Sequence, residues 1–363
     1  MPLLEKPSAR RRRRSGKKLA VLLFIAVLAG FGCFWWHQKH AAKISKFKSA
    51  PATHAAPQTP AKPKLAPIVI APQAPADFPR PVRNVLEAQV ALARRAISPG
   101  SIDGAMGSQT RAAIAAFQRS EKLFESGVLD TNTRPLLTLD GPLLTNYFVT
   151  TNDLARLQPL GKTWLAKSQQ TVLDYETILE EVAEKAHSHP LLIQKLNPDV
   201  NWTNVAPGLV LKIPEVDYPE PKDRAAFVII HLSEKFLEAF DADTNLLAHF
   251  PCSIAAKVEK RPVGELRVIV IAPNPNYTVD PELFPESAEL QALGHKLILP
   301  PGPNNPVGVA WIGLDKTGYG MHGTPAPEQV GRTESHGCFR LANWDAEYLV
   351  KLVWIGMPVE VVP

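Results

Sequence analysis

The sequence predicts a multidomain chain: a mainly β C-terminal domain follows a small three-helix module and an α+β segment, all behind a single N-terminal membrane anchor. Three patterns support this. Residues 19–36 form an uncharged apolar run behind a cluster of arginines, about the length of one bilayer crossing. Between residues 82 and 222 apolar side chains recur at helical spacing, as in Ala113, Ile114 and Phe117. From residue 223 onward they fall instead into short runs separated by turn residues, the pattern of strands.

At 363 residues there is room for two or three compact domains. Charge is unevenly spread. Residues 1–48 hold twelve Lys/Arg against Glu5, about +11, while the whole chain is +5, which leaves about −6 for the rest. A mildly acidic body lacks the basic stripe of a nucleic-acid-binding protein, so no nucleic-acid partner is expected. Residues 1–18 read as a cytoplasmic basic segment. Residues 19–36, ending in Phe34, Trp35 and Trp36, read as a transmembrane signal anchor that places everything after His37 outside the membrane, in the periplasm or beyond. A cleaved signal peptide is the alternative, but Trp35, Trp36 and His37 offer no small-residue cleavage site. Cys33 follows Gly30-Phe31-Gly32, a poor lipidation signal, and is read as an ordinary membrane residue. Beyond the anchor only Cys252 and Cys338 remain, too few for a disulfide framework. Cys252 is expected to be a small apolar residue in a strand.

Residues 37–81 are rich in Pro, Ala and Lys without apolar periodicity and form a semi-stiff linker. In residues 82–140, Val85, Val90, Leu92 and Ala96 suit a helix that Ser98, Pro99 and Gly100 end. Ser108 is the expected N-cap of a second helix carrying Ala113, Ile114, Phe117 and Gln118. Residues 141–222 read as a strand at 147–150, an amphipathic helix at 178–186, a second helix from Pro190, and a returning strand at 207–214. Residues 164–174 are additional to that order. Within residues 223–363, strands are expected at 227–232, 236–240, 246–254, 267–272 and 359–362. Residues 274–296 interrupt them as a loop of the length that often lines or covers a substrate site.

The chemistry concentrates in Met321-His322-Gly323-Thr324 and Ser335-His336-Gly337-Cys338-Phe339-Arg340-Leu341, which set one thiol between two imidazoles. A cysteine attacks as the thiolate, and an ordinary thiol of pKa about 8.5 is only slightly ionised at pH 7. His322 or His336 could take its proton as general base. A contact from His322 to Cys338 requires the backbone to return, as strand, loop and strand. The group orienting the base is expected to be a backbone carbonyl near Gly323, because Asp345 reads more simply as a cap on a helix over residues 346–352. Gly337 lets amides approach a developing oxyanion. Arg340 suits either a bidentate clamp on a substrate carboxylate or a structural salt bridge. Gly323, Thr324, Ser335 and Asn305 are candidates for holding substrate or supporting the loops. The bland reading of Cys338 is a packed core thiol beside a turn. His322, His336 and Cys338 lack the spacing of Cys/His zinc motifs, and no glycine-rich phosphate loop follows a strand, so neither metal nor cofactor is expected.

H-G-T followed by G-R-T-E-S-H-G-C-F-R-L and Asp345 resembles the signature of the L,D-transpeptidase catalytic domain, the YkuD family, and residues 299–308 are similar to a segment of one branch of it. The resemblance implies a mainly β sandwich over residues 223–363, with Cys338 as nucleophile, His322 as its base and His336 beside them. It also implies a peptidoglycan substrate. Attack at the third residue of a stem tetrapeptide would release D-alanine and leave a thioester, which an amine of another stem, a lipoprotein lysine or water resolves. Ile102-Asp103-Gly104, Gly107 with Thr110, and Ala113 with Phe117-Gln118 resemble the peptidoglycan-binding type 1 domain. Leu196-Asn197-Pro198 with the ending over residues 207–214 resembles a LysM module, apart from the additional residues 164–174. Stem peptides, glycan strands and the membrane are the partners this reading implies.

Overall fold

The computed structural model describes residues 78–333, 335 and 337–363. The expected anchor, nearly all of the linker, and His336 lie outside them. No helix of the described residues is long and apolar enough to cross a membrane.

The first module is tied at its ends by β1 (Arg80–Pro81) pairing antiparallel with β2 (Thr138–Leu139), so Arg80 and Pro81 belong to the module although their composition reads as linker. Between them lie α1 (Val85–Ala93), α2 (Ser108–Ser120) and the single turn α3 (Thr133–Leu136). Val90, Leu92, Ile114 and Phe117 fill the core. Two buried glutamines hold the turns. Gln89 donates to the Asp103 carboxylate and the Thr110 hydroxyl and accepts from the Gly104 amide, while Gln118 donates to Thr133 and accepts from the Gly127 amide. These motif residues satisfy each other's buried polar groups. Ser108 is not the cap of α2: Gly107 occupies that position, without a side-chain cap bond.

The middle segment closes around the antiparallel pair β3 (Leu144–Phe148) and β4 (Val210–Pro214). Between them run α4 (Thr151–Arg156), α5 (Trp164–Ser168), α6 (Ile178–Lys185) and α7 (Pro190–Leu196). Thr150 and Asp153 form a capping box on α4, and Thr177 caps α6. The additional residues 164–174 pack on the C-terminal domain. The Trp164 and Leu165 amides donate to Glu289, and Leu173 exchanges backbone hydrogen bonds with Pro301 and Asn304.

The C-terminal domain holds β5 (Phe227–His231), β6 (Phe236–Phe240), β7 (Leu246–Pro251), β8 (Gly264–Pro273), β9 (Tyr277–Val279), α8 (Ala288–Leu293), β10 (Leu297–Leu299), β11 (Ala310–Leu314), β12 (Gly320–His322), β13 (Phe339–Arg340), α9 (Asn343–Leu352) and β14 (Pro358–Val362). Eight strands are hydrogen-bonded in the order β13-β12-β11-β8-β14-β5-β6-β7. The mainly β domain that the sequence suggests is built around this one sheet, folded into two leaves. β8 joins the two leaves, its first half pairing with β14 and its second with β11. Val228, Ile230, Leu237 and Phe250 from one leaf share a single core with Ile312, Met321, Phe339 and α9. Residues 274–296 are not a plain loop: they contain β9, paired antiparallel with β10, and α8, around their own small core of Val279, Leu290, Leu297 and Leu299 with Leu173.

An edge strand leaves unpaired backbone groups that invite association. Here β7 is that edge, and the first module covers it: Ile97 bridges to His249, whose backbone exchanges hydrogen bonds with Ala96 and Ser98. Beneath the contact, Glu238 meets His249 Nδ1 at 2.9 Å and also pairs with Arg119 of the first module. Burial opposes the Glu238 charge, yet these two partners outweigh it and hold the carboxyl below its ordinary value. Replacing Glu238 with Ala strands a fully buried histidine and is expected to destabilise the fold by about 3 kcal/mol in urea unfolding. Arg119→Ala, whose guanidinium is 39% exposed, should cost under about 1 kcal/mol. Equal losses for the two variants would contradict this account.

Candidate active site

The register of three short strands gathers the site. Trp311 is paired with His322 between β11 and β12, and His322 with Arg340 between β12 and the parallel β13. Paired residues share a sheet face, and residues two apart along an extended backbone do as well. Ile312, Met321 and Phe339 consequently enter the core. Trp311, His322, Arg340 and, two residues before it, Cys338 turn the other way into a cleft of about 710 Å³. Trp164, Tyr277, Phe284 and Tyr319 complete its aromatic walls.

His322 is buried, and its Nδ1 lies 2.7 Å from the Gly323 carbonyl. A carbonyl only accepts, so Nδ1 carries the hydrogen and the Nε2 lone pair is left available. Burial pushes the imidazole down to about 4, against the Gly323 bond, so the ring is neutral at pH 7. The Trp311 indole stacks on it at 5.6 Å. The orienting group is thus a backbone carbonyl, as the sequence suggests, and Asp345 serves elsewhere. Asp345 is no cap: α9 begins at Asn343, and the buried Asp345 carboxylate accepts from the Ser98 and Tyr218 hydroxyls. Burial raises it to about 7.

Cys338 is partly exposed, and its thiol donates to the Gly318 carbonyl at 3.4 Å. Burial pushes the thiol up to about 11, with the Gly320 backbone and Arg340 pulling in the other direction. The resting site is therefore a neutral thiol and a neutral imidazole. Cys252 is also a free thiol, wholly buried just after β7 rather than in it, and burial raises it to about 12.

The remaining candidates divide. Ser335 braces the turn, donating to the Cys338 carbonyl at 2.5 Å and accepting from the Gly337 amide at 3.2 Å. The Gly337 amide is thereby committed to the turn rather than open to an oxyanion. A Cβ at Gly337 would meet only Tyr319, at 3.6 Å, so the missing side chain there leaves room in the cleft. Arg340 lines the cleft, half-buried, and makes no ion pair with any described residue. Gly323 and Thr324 stand behind His322, outside the cleft lining, their backbone groups bonded to His322 and Asn343. Asn305 is fully buried and ties its own loop, donating to Pro300 and accepting from Val307, so it does not reach substrate. Among the described residues no group of His, Cys, Asp and Glu is arranged to hold a metal.

Sequence reasoning missed the aromatic walls. Tyr319 carries a local signal, standing between Gly318 and Gly320 two residues from Met321. A Cβ at Gly320 would lie 2.8 Å from the Trp311 ring, so only glycine lets that indole lie flat. Trp164 carries none, since it comes from the middle segment.

A thiol and a neutral imidazole facing one cleft of a β domain are the groups that nucleophilic acyl transfer uses. Residues 225–361 match the family described as "L,D-transpeptidase catalytic domain", and residues 82–137 the "Putative peptidoglycan binding domain". The C-terminal domain is thus similar to the L,D-transpeptidase catalytic domain family over residues 225–361, and the first module to the peptidoglycan-binding domain over residues 82–137. "Putative L,D-transpeptidase YkuD" of Bacillus licheniformis is 24% identical over 51% of this chain and 93% of its own length. "Probable L,D-transpeptidase YbiS" of Escherichia coli is 28% identical over 46% of this chain, and "Putative L,D-transpeptidase YqjB" of Bacillus subtilis 35% identical over 27%. The chain spans about half the length of these last two, 54% and 49%. The solved L,D-transpeptidase 3 of Mycobacterium tuberculosis is 18% identical, with 44% of this chain and 77% of that one covered, at a TM-score of 0.30, too low to bear on the fold.

The raised thiol makes a kinetic prediction. Without substrate, alkylation of Cys338 by iodoacetamide, followed by peptide mass mapping, should accelerate steadily above pH 9, because thiolate becomes abundant only as pH approaches the folded pKa near 11. A plateau reached below pH 7 would mean a preformed thiolate–imidazolium pair instead.

Proposed function

We propose that this protein is a peptidoglycan L,D-transpeptidase in which Cys338 attacks the carbonyl of the third residue of a stem tetrapeptide. The observation that carries this reading is the His322 tautomer: the Gly323 carbonyl takes Nδ1–H, leaving Nε2 as the proton acceptor on the sheet face that also bears the thiol. The Cys338 proton passes to Nε2 as sulfur bonds to the carbonyl carbon, giving a tetrahedral oxyanion and an imidazolium. Collapse breaks the C–N bond, and the imidazolium returns the proton to the departing D-alanine amine. The thioester is then attacked by an amine, again deprotonated by Nε2, and the thiol is restored. Arg340, a cation without an ion-pair partner among the described residues, is suited to a carboxylate of the stem. An acceptor amine on a second stem gives a 3-3 cross-link, a lipoprotein lysine gives an attached protein, and water gives carboxypeptidase action.

The substrate polymer fits the rest of the chain. A module of the peptidoglycan-binding kind joined to the catalytic domain raises the local concentration of wall peptide. The packing of α6 and α7 with the β3–β4 pair in the middle segment supports a LysM-like glycan contact, and the basic, then apolar N-terminal run supports a membrane anchor with the catalytic domain outside, in the periplasm or beyond.

The test uses the purified full chain in detergent with a disaccharide tetrapeptide, measuring released D-alanine and identifying products by mass. The wild type is expected to release D-alanine and to form a cross-linked dimer or a tripeptide. Cys338→Ala should release none, and His322→Ala should lose about 10²–10⁴-fold in kcat. Turnover by Cys338→Ala would overturn the mechanism. Intact-wall binding by wild type and Cys338→Ala with no turnover by either would make the protein a wall-binding scaffold.

A further inference from the structure

Asn343, the first residue of α9, is buried where the middle segment meets the catalytic domain. Its Oδ1 accepts the amides of Thr324 at 3.0 Å and Val309 at 3.3 Å. Its Nδ2 donates to both carboxylate oxygens of Glu184, at 3.0 and 3.1 Å, and to the Pro303 carbonyl at 3.2 Å. Glu184 lies on α6 of the middle segment and also accepts the Tyr175 hydroxyl at 3.0 Å. The packing leaves no slack, because a Cβ on Gly308 or Gly323 would fall 2.0 or 2.3 Å from Asn343 Oδ1.

The Thr324 amide that Asn343 holds and the Gly323 carbonyl that accepts His322 Nδ1–H belong to one peptide unit. Such a unit is planar and trans, so its N–H and C=O point in opposite directions and turn together. Fixing the amide fixes the carbonyl. The direction of the Asn343 side chain is set in turn by its partners. Two backbone N–H groups on one side demand its oxygen, and carboxylate oxygens on the other demand its NH₂. Burial raises Glu184 to about 8, against the bonds from Asn343 and Tyr175, but either protonation state keeps an oxygen that accepts from Nδ2.

We propose that Glu184 and Asn343 are positioning residues for acyl transfer: the middle segment, through Glu184, orients the Asn343 amide, which locks the Gly323–Thr324 peptide and so holds His322 with Nε2 open to the cleft. The proposal rests on the transpeptidase reading for what His322 does, while the chain of hydrogen bonds stands apart from it. It makes the middle segment part of the machinery as well as a spacer or glycan contact, since its removal would take away the partner of Asn343.

The full chain, labelled with ¹⁵N-histidine, is compared as wild type, Glu184→Ala, Glu184→Gln and Asn343→Asp, with His322→Gln to assign the His322 ring signal. Glu184→Ala is expected to lower kcat about tenfold or more with KM within twofold, and to weaken or lose the Nδ1–H signal of His322. Glu184→Gln, which keeps an accepting oxygen, should restore both to within about threefold of wild type. Assayed above the Glu184 pKa near 8, Asn343→Asp sets two carboxylates against each other where an NH₂ had joined them, which drives the side chain off the Thr324 and Val309 amides and should reproduce the loss should Glu184→Ala fail to fold. An unchanged ring signal and kcat in folded Glu184→Ala or Asn343→Asp overturns the proposal, as does a lowered Tm with unaltered kcat. If the wild type shows no transpeptidase activity, the ring signal still decides: its loss in Glu184→Ala and return in Glu184→Gln uphold the positioning role even as the transpeptidase reading falls.

Discussion

Two residue pairs of parallel strand, Met321 with Phe339 and His322 with Arg340, decide where the chemistry of this chain sits. Parallel neighbours cannot be joined by a tight hairpin, so the connection between β12 and β13 must travel out and return. That excursion carries Gly331, whose amide donates to Ser253, and Ser335, whose amide donates to Ile254, so the returning chain is tied to the segment after β7 before it reaches Cys338. A slip of one residue would send His322 into the core and Met321 into the cleft. The alternation of apolar and functional residues on β11, β12 and β13 opposes such a slip, because Ile312, Met321 and Phe339 all lose their burial if it occurs.

The same burial that fixes the register sets the electrostatics. A desolvated imidazole held neutral and a desolvated thiol held protonated form the resting pair. The tautomer is nevertheless already correct, because a backbone carbonyl holds Nδ1 and cannot itself be protonated at physiological pH. A carboxylate in that position would stabilise the imidazolium more strongly and bring proton transfer closer to completion in the resting enzyme. Asp345, a buried acid nearby in sequence, is turned away to the Ser98 and Tyr218 hydroxyls at the junction with the first module. Both accessory elements reach the first turn of α9, the first module through Ser98 on Asp345 and the middle segment through Glu184 on Asn343.

What could be read from the sequence followed the range of the forces involved. Strand periodicity is local, so the strands about 227–240 and 359–362 and the helices about 178–185 and 190–196 were legible, and the chemistry of Cys338 and His322 follows from residue type. Asp345 looks like a helix cap because acids in a first helical turn commonly are. Its real partners are Ser98 and Tyr218, 247 and 127 residues away, and no local pattern records them. Asn305 and Asn343 are both buried asparagines near the site, yet one serves only its own loop and the other joins three segments, a distinction that resides entirely in tertiary contacts. Trp164 reaches the cleft because Glu289 captures the start of α5, which is equally invisible from spacing. The stretch over residues 274–296 hides β9 and α8 because its small core is completed by Leu173 from another segment.

The central claim is that the thiol of Cys338 itself becomes the acyl carrier. The most direct measurement is peptide mapping by mass after the full chain is mixed with a disaccharide tetrapeptide and quenched in acid within the first turnovers. The account predicts that the peptide bearing Cys338 gains the mass of the substrate less D-alanine, that hydroxylamine removes this gain, and that the peptide bearing Cys252 is unchanged. Product formation with the acyl group on another residue, or with Cys338 never modified, would contradict it.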